Sequence, residues 1–592
     1  MYSKLILLLV IIHISTIDSK STNAFRMKKD NERYFVQDYF ISSLFRKRKS
    51  SISTAKPDDS LVVETNAGKV QGFIENSSFP GKRIQKFLNI PYAEPPVRFE
   101  KAKEIKKRWD DKVYNLNPKK AISCLQKDNF PYFDETEDCL ILNVWTPHPR
   151  PKNASVMVFI HGGAFKYGSS HEYRYSGSNF VAMGDVILVT LNYRVSVFGF
   201  LSDPEKGIKG NLGLFDQRLA MKWVKKNIAA FGGNPDAITL FGESAGSVCV
   251  SAHTLSPESW DYFDRAILES GNMLMYWSLS TEKDNKIKTM EFLQIVGCDN
   301  SANTKKCLQE NVTLETFEKY LNRKVDFMFT PDVDGDFFKD HPRFLFTQGK
   351  GKPCPMIFGT LKDEMFFTTS FILSNTRNIT EISTTFNETL RETLSHHPRF
   401  YEVAQKLYLS ECTPSFTEAY RPLVNFLTDW AFTCPEKEES LLRVRIFPEQ
   451  PVYVFQYAYA TAVPGTYPTG TFGFAAHGLD LASVFGVPFK KELPYSDEDN
   501  TLSARMILYF TNFAKTGDPN SPLSKLPKDF KIYTTPDHAN FSLPHWPPHT
   551  IEKEEYLDFE SLEKMEVKYE LRQKYCEFWD TPLYALHRST YF

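Results

Sequence analysis

The stretch Ile238-Thr239-Leu240-Phe241-Gly242-Glu243-Ser244-Ala245-Gly246 decides the fold of this chain. A short apolar run that ends in Gly-x-Ser-x-Gly predicts a buried strand that turns sharply into a helix. Gly242 and Gly246 suit such a turn, because the backbone there is strained and closely packed. The Ser244 hydroxyl would project above the sheet edge, where the N–H groups that begin the helix favour negative charge. The stretch therefore predicts Ser244 as a nucleophile.

Two longer apolar runs indicate a sheet that is buried on both faces. Val156–Ile160 and Val186–Leu191 are nearly continuous hydrophobic segments without alternation, as in parallel strands covered by helices. Shorter runs lie at Met356–Phe358 and Val452–Phe455, and Gln217–Ala230 has the apolar spacing of a helix. Strands that alternate with helices predict an α/β fold with a large, mostly parallel central sheet flanked by helices.

A second motif, His161-Gly162-Gly163-Ala164-Phe165, directly follows the first of these runs. A loop of small residues can present bare backbone N–H groups. Acyl transfer needs such donors for the oxyanion of its tetrahedral intermediate, at about 3 kcal/mol each. We therefore expect Gly163, Ala164 and Ala245 to donate their N–H groups to an oxyanion. A plain glycine turn would explain either motif alone, but it does not explain two such motifs at two strand ends.

Composition and charge narrow the function classes. The chain has 592 residues, of which 42% are hydrophobic and 24% charged, as in ordinary globular proteins. Its formal net charge of −1 gives no field of one sign that would favour nucleic acid as a partner. No linker or internal repeat interrupts residues 60–592, so we expect one large domain there.

The N-terminal residues predict export. Lys4 precedes the apolar run Leu5–Ile12, which is shorter than the roughly 20 residues of a membrane span. Residues 1–19 are therefore interpreted as a signal peptide rather than an uncleaved anchor. Residues 20–59 are polar and basic and are expected to form a disordered leader. The run Arg46–Lys49 within it is a processing site or a solvated charge cluster, and we favour the latter. No later run is long and apolar enough to span a membrane, so the predicted location is extracellular.

Cysteines and glycosylation motifs agree with an exported protein. Nine cysteines can be oxidised outside the cell. Asn-x-Ser/Thr motifs, which mark glycosylation in secreted chains, lie at Asn76, Asn153, Asn311, Asn378, Asn387 and Asn540.

Taken together, these motifs resemble those of the type-B carboxylesterases, the α/β-hydrolase family that includes carboxylesterases and cholinesterases. The resemblance extends from about Leu61 to about Trp579. Besides the Ser244 and His161 motifs, it is carried by Phe87-Leu88-Asn89-Ile90-Pro91-Tyr92-Ala93-Glu94-Pro95-Pro96, Glu137-Asp138-Cys139-Leu140-Ile141-Leu142-Asn143-Val144, Asn192-Tyr193-Arg194, Gly210-Asn211-Leu212-Gly213-Leu214-Phe215-Asp216-Gln217 and Phe231-Gly232-Gly233-Asn234-Pro235. It implies an α/β-hydrolase fold for residues 60–592 and hydrolysis of small-molecule carboxylic esters, with no metal or cofactor.

The resemblance also supplies the partners that a serine nucleophile needs. The family's acid lies in Lys362-Asp363-Glu364, which places it at Glu364, although Met365 stands where the family often has Gly. The family's base lies in His477-Gly478, ahead of Val484-Phe485-Gly486. His477 would remove the Ser244 proton, Ser244 would form an acyl-enzyme, and Glu364 would orient the imidazole. Without the resemblance, His477 would be one of 13 histidines, and Asp363 would compete with Glu364.

Disulfide pairs are implied in the same way. They are Cys124–Cys139, Cys298–Cys307 and Cys434–Cys576. Cys249 follows the nucleophile by five residues and is interpreted as a small packed side chain. Cys354 and Cys412 could pair or stay free.

The resemblance leaves two alternatives to a general carboxylesterase. Cholinesterases hold choline through a Trp in the loop closed by the first disulfide, whereas Leu125–Asp138 contains Phe130, Tyr132 and Phe133 but no Trp. This difference favours a general carboxylesterase. Other relatives are inactive adhesion or binding proteins that have lost the serine or its partners and usually carry a membrane span. This chain retains all three residues, so we expect an enzyme. The sequence leaves the natural ester and the oligomeric state open.

Overall fold

The computed structural model describes residues 61–106, 113–115, 120–126, 132–323, 328–373, 379–394, 398–409, 418–461, 473–490, 492, 494–521 and 543–579. The predicted signal peptide and leader lie outside these ranges. So do Phe130, Asn378, Cys412 and Asn540.

The strands carry most of the architecture. In chain order the described strands are β1 (Val62–Thr65), β2 (Gly68–Gln71), β3 (Phe73–Asn76), β4 (Arg83–Pro91), β5 (Tyr114–Asn115), β6 (Ile122–Cys124), β7 (Asp134–Thr136), β8 (Ile141–His148), β9 (Ala154–Ile160), β10 (Ile187–Leu191), β11 (Gly233–Glu243), β12 (Arg265–Glu269), β13 (Met356–Leu361), β14 (Val452–Tyr457), β15 (Glu555–Phe559) and β16 (Met565–Tyr569).

Eleven of the described strands form one central sheet, in the order β16-β15-β14-β13-β12-β11-β9-β10-β8-β4-β3. The middle of this sheet, from β15 to β10, is parallel throughout. Antiparallel pairs occur only toward its edges, at β15–β16, β8–β10, β4–β8 and β3–β4 among the described strands. The predicted large, mostly parallel sheet is therefore confirmed.

Helices flank the sheet. In chain order the described ones are α1 (Gly177–Gly184), α2 (Ser196–Phe200), α3 (Leu212–Asn227), α4 (Ala245–Thr254), α5 (Glu282–Val296), α6 (Thr304–Glu310), α7 (Leu314–Leu321), α8 (Pro342–Thr347), α9 (Phe366–Ile372), α10 (Ile379–Thr393), α11 (Pro398–Leu409), α12 (Arg421–Thr428), α13 (Cys434–Ile446), α14 (Asp480–Val484), α15 (Asp497–Thr516) and α16 (Gln573–Trp579). A π-helix, Asp429–Thr433, joins α12 to α13.

The two faces of the sheet have separate hydrophobic cores, which explains why the central strands lack alternation. On β9, Val156, Val158 and Ile160 pack into one core. Met157 and Phe159 of the same strand pack into the other. All five side chains are fully buried. Both faces of the strand are thus buried, as in parallel sheets covered by helices.

One predicted helix has a different start. The apolar spacing indicated a helix from Gln217 to Ala230, but α3 begins at Leu212 and ends at Asn227. A 3-10 turn, Ile228–Phe231, follows it. The start is set by Asn211, whose φ of 59° is left-handed and whose Nδ2 donates to the Asp332 carbonyl at 2.8 Å. This long-range anchor is absent from the local apolar spacing.

The implied disulfides form. Among the described cysteines, Cys124–Cys139, Cys298–Cys307 and Cys434–Cys576 are bonded. Cys249 and Cys354 are buried thiols. Burial raises the pKa of Cys249 to about 12 and that of Cys354 to about 11, so both stay protonated at neutral pH. Cys249 packs in the core as expected.

Four of the predicted glycosylation motifs lie in described regions. Asn76, Asn153 and Asn311 are exposed. Asn387 is half-buried on α10, where its Oδ1 accepts from Gln405 Nε2 at 2.8 Å. None of the described helices has the length and hydropathy to cross a membrane.

Candidate active site

Ser244 occupies the sharp turn between β11 and α4. Its φ of 57° and ψ of −128° are rare for a residue with a side chain. Its N–H donates to the Glu269 carbonyl of the neighbouring strand at 2.8 Å, which anchors the turn to β12. Backbone strain of this kind persists where the surrounding structure enforces it, and it is concentrated at functional sites. The turn predicted from the sequence is therefore present, and the strain lies in the serine itself.

The glycines around this turn provide space. A Cβ at Gly246 would lie 2.1 Å from the Ile160 carbonyl oxygen, and one at Gly162 would lie 2.9 Å from Ser244 Cβ. Neither Gly242 nor Gly246 has a positive φ, in contrast to Ser244. Their role is the expected close packing of the loop after β9 onto the turn, whereas the strained backbone conformation belongs to Ser244.

The loop after β9 folds tightly beside Ser244. Gly163, Ala164 and Phe165 have positive φ values of 105°, 55° and 59°. The Gly163 carbonyl accepts from the backbone N–H groups of Lys166 and Tyr167 at 2.9 and 3.1 Å. Turns of this kind present N–H groups on a concave side that binds anions.

The opposite side of the candidate oxyanion site is the start of α4. Ala245 is the first residue of this helix. The first N–H groups of a helix have no partner within the helix and lie at the positive end of its dipole. The structure therefore places Gly163, Ala164 and Ala245 on the two elements that meet at Ser244, with Gly162 in contact between them.

His477 and Glu364 are brought together. His477 Nδ1 lies 2.6 Å from Glu364 Oε2. The other oxygen, Glu364 Oε1, accepts from Ser270 Oγ at 2.6 Å and from the Leu361 N–H at 2.8 Å. The carboxyl group is fully buried. Three hydrogen bonds therefore fix its orientation and, through it, that of the imidazole.

The competing carboxylate, Asp363, is directed elsewhere. Its Oδ2 accepts from the Ala475 N–H at 2.9 Å, and its Oδ1 pairs with Arg421 at 3.2 Å. Met365, where the family often has Gly, fits the turn, and its N–H donates to Thr428 Oγ1 at 3.1 Å. Asp363 thus holds the segment before His477, while Glu364 contacts the ring.

A contact that sequence reasoning missed involves Glu243, the residue before the serine. Glu243 Oε1 lies 3.2 Å from His477 Nε2. Burial lowers the pKa of His477, but the carboxylates of Glu243 and Glu364 outweigh it and raise that pKa to about 9. Burial in turn raises the pKa of Glu243, against the attraction of His477. The imidazole therefore lies between two carboxylates, which favour its protonated form. The sequence signal was Glu243 itself, an acidic residue between Gly242 and Ser244.

Aromatic rings border the site. The ring of Phe432, on the π-helix, lies 4.9 Å from His477 and 5.6 Å from Trp277. Trp277 Nε1 donates to the Ala431 carbonyl at 3.1 Å, and its ring faces Phe165 at 6.4 Å. These rings form an apolar wall beside the imidazole, which suits the hydrocarbon part of an ester. No motif in the sequence had indicated Trp277 or Phe432.

The fold is that of an α/β-hydrolase: a mostly parallel sheet with helices on its faces and a serine on a strained strand-to-helix turn. The model of the carboxylesterase family matches residues 59–579. A protein named cholinesterase from Mus musculus is 34% identical over 557 residues, covering 88% of this chain and 87% of the relative. The chain therefore belongs to the carboxylesterase family, and the resemblance found in its sequence is confirmed.

Proposed function

We propose that this chain is a secreted serine hydrolase of carboxylic esters, with Ser244 as nucleophile, His477 as base and Glu364 as orienting acid. One observation carries the proposal. The imidazole of His477 is bonded through Nδ1 to Glu364 and lies, through Nε2, beside the carboxylate that directly precedes Ser244. Membership of an esterase family supports the same assignment.

The reaction follows from these positions. Neutral His477 takes the Ser244 proton on Nε2 as Ser244 Oγ attacks the ester carbonyl. The oxyanion binds to the N–H groups of Gly163, Ala164 and Ala245. The imidazolium then protonates the leaving alcohol, and water repeats the sequence on the acyl-enzyme. Glu364 holds the ring and stabilises its charged form.

Glu243 adds a step to this scheme. A protonated Nε2 donates to Glu243, whereas a neutral Nε2 carries a lone pair that a carboxylate repels. Loss of that proton therefore frees Nε2 to accept from the Ser244 hydroxyl. Since the pKa of His477 is raised to about 9, kcat/KM should increase from neutral to alkaline pH and level off above about pH 9.

The substrate class is a small-molecule ester with an apolar part, and a general carboxylesterase is preferred over a cholinesterase. The described part of the first disulfide loop has Tyr132 and Phe133 in contact at 4.5 Å. Neither ring matches Trp in cation–π strength. A choline ester and an uncharged ester with the same acyl group should be compared. A kcat/KM that favours the choline ester by tenfold or more would favour the cholinesterase alternative.

Secretion is part of the proposal. The three disulfides suit an oxidising compartment, and Asn76, Asn153 and Asn311 are accessible to a glycosyltransferase. Cleavage after the signal peptide at 1–19 would leave the basic leader on the mature chain. Edman sequencing of protein from the culture medium, before and after glycosidase treatment, tests both points. A chain that stays in the cell with Met1 intact would contradict them.

The central test uses a fluorescent organophosphonate together with hydrolysis of a short-chain aryl ester. The parent should be labelled and active, and Ser244→Ala should lose both properties. Ser301→Ala, in the loop between α5 and α6, serves as the matched control and should behave as the parent does. A folded parent that is neither labelled nor active would contradict the proposal and favour the inactive binding protein.

A further inference from the structure

Two buried acids meet behind the imidazole. Glu269 ends β12, and Asp480 begins α14 three residues after His477. Both residues are fully buried, and the Asp480 carboxyl group lies beside that of Glu269. Asp480 Oδ1 accepts from the Leu481 N–H at 3.0 Å. Within the described chain, no N–H or O–H group reaches either oxygen of Glu269 or Asp480 Oδ2.

This arrangement requires a proton. Two ionised carboxylates in contact repel each other, and buried oxygens without donors are costly. One proton between the two groups removes the repulsion and gives both of them a hydrogen bond. Burial raises the pKa of Glu269 well above its usual value and that of Asp480 to about 8, and the nearby carboxylate of Glu243 adds to both increases.

Glu269 also connects the nucleophile to the base. Its carbonyl oxygen accepts from the Ser244 N–H at 2.8 Å. On the sheet it is paired in register with Glu243. Its side chain lies beside that of Asp480, on the segment that carries His477. A single residue thus contacts both chain segments that the proposed reaction brings together.

We propose that Glu269 and Asp480 share one proton and act as a monoanionic pair that positions His477 and sets the charge around it. This inference rests on the proposed role of His477. Among the described residues, four charged or titratable groups surround the pair: Glu243 on β11, Glu364 after β13, Tyr457 at the end of β14, and His477 three residues before Asp480. Glu172 and Arg174 act on the pair through their effect on Glu243.

Three variants test the charge of the pair. In Glu269→Gln, the amide N–H replaces the shared proton, so Asp480 stays ionised and the acidic limb of the kcat/KM profile should stay in place. In Glu269→Leu, Asp480 Oδ2 still has no donor, so the Asp480 carboxyl takes up a proton itself and one negative charge is lost. A unit charge about 10 Å away, at an effective dielectric constant of about 20, changes a pKa by about one unit. The limb should therefore move to lower pH by at least about 0.5 unit.

The third variant removes the charge and keeps the hydrogen bond. Glu269→Gln combined with Asp480→Asn should move the limb as far as Glu269→Leu does, and it serves if the leucine variant does not fold. A limb that moves in Glu269→Gln would mean that both carboxylates are ionised in the parent. A limb that moves in none of the variants would mean that the pair does not act on His477. Either result overturns the inference.

A second measurement does not depend on hydrolysis. If the folded parent binds one proton more than the unfolded chain, its stability decreases as pH rises through roughly pH 5 to 8. Glu269→Gln should lack this decrease, so its Tm should rise relative to the parent over that range. Parallel Tm profiles would refute the shared proton, even in a protein without esterase activity. An inactive parent with diverging profiles would instead refute the proposed function alone.

Discussion

The substitution Glu243→Gln gives the sharpest test of what sets the pKa of the His477 imidazole. Glu243 Oε1 lies 3.2 Å from His477 Nε2, with the two side chains 7% and 28% exposed. At that distance and an effective dielectric constant of about 20, Coulomb's law gives about 5 kcal/mol. Measured couplings between close charge pairs begin at about 1.5 to 2 kcal/mol, and partial exposure of the ring favours this lower end. A loss of about 2 kcal/mol corresponds to about 1.5 pKa units.

Glu243→Gln should change the pH profile of kcat/KM in a specific way. Removing an anion lowers the pKa of His477, so the acidic limb should move from about pH 9 to about pH 7.5. Below both limbs the free enzyme and the transition state each contain the imidazolium, and Glu243 stabilises both equally. The value of kcat/KM there should be unchanged. Above both limbs only the transition state carries that charge, so the plateau should be lower by about 30-fold.

The assay is kcat/KM for an aryl acetate from about pH 5.5 to 10, with spontaneous hydrolysis subtracted and folding checked by circular dichroism at each pH. Glu205→Gln is the matched control, because its side chain is 75% exposed and pairs with the exposed Lys286 at 3.0 Å. Its profile should follow that of the parent. A Glu243→Gln profile that falls equally at all pH values, with its limb unmoved, would refute the assignment of Glu243 as the partner of the imidazolium.

Three further predictions concern the residues that hold the site. Glu364→Gln should lower kcat/KM by about 10³- to 10⁴-fold, as when an orienting acid is replaced by its amide. Asp363→Asn should mainly lower Tm, and equal kinetic losses in the two variants would contradict the division of roles between these neighbours. Ser270→Ala removes a 2.6 Å hydrogen bond to Glu364 and should lower kcat/KM by about 5- to 20-fold, or about 1 to 2 kcal/mol; an unchanged value would mean that the Leu361 N–H suffices. Replacing Cys434 and Cys576 by Ser removes a disulfide with a sequence separation of 142. Because a cross-link over so long a loop restricts the unfolded chain, its loss should lower the free energy of unfolding by up to about 5 kcal/mol in guanidinium titrations. A loss below about 1 kcal/mol would refute this chain-entropy argument.

The centre of the sheet could be predicted from sequence because both faces of its strands are buried. The runs around Val158, Val189 and Leu240 are nearly continuously apolar, and all three residues are fully buried. β12 was missed. Its sequence Arg-Ala-Ile-Leu-Glu is short and bounded by charges, which locally suggests an exposed segment. Glu269 is nonetheless fully buried at its end, where its backbone carbonyl accepts from the Ser244 N–H.

The site was predictable only in part, for a related reason. Ser244 and the loop at His161 lie at the ends of recognisable strands, so local pattern was sufficient. Glu364 and His477 are separated by 113 residues in sequence, and only family resemblance singled them out. Glu243 against His477 and Glu269 against Asp480 are contacts between segments. The spacing of residues in the sequence does not predict whether a carboxylate will face an imidazole ring or a second carboxylate.

The buried carboxylates around His477 exceed what orientation of one ring requires, and their combined effect is a compromise. A base with a raised pKa accepts a proton more readily, but a smaller fraction of it is neutral. With a pKa of about 9, only about one molecule in a hundred has a neutral imidazole at pH 7. A further full negative charge beside the ring would reduce that fraction again. A shared proton between Glu269 and Asp480 limits the local charge, because the pair contributes one negative charge where two carboxylates stand. Without that proton, the same electrostatics that stabilise the imidazolium in the transition state would stabilise it still further in the resting enzyme.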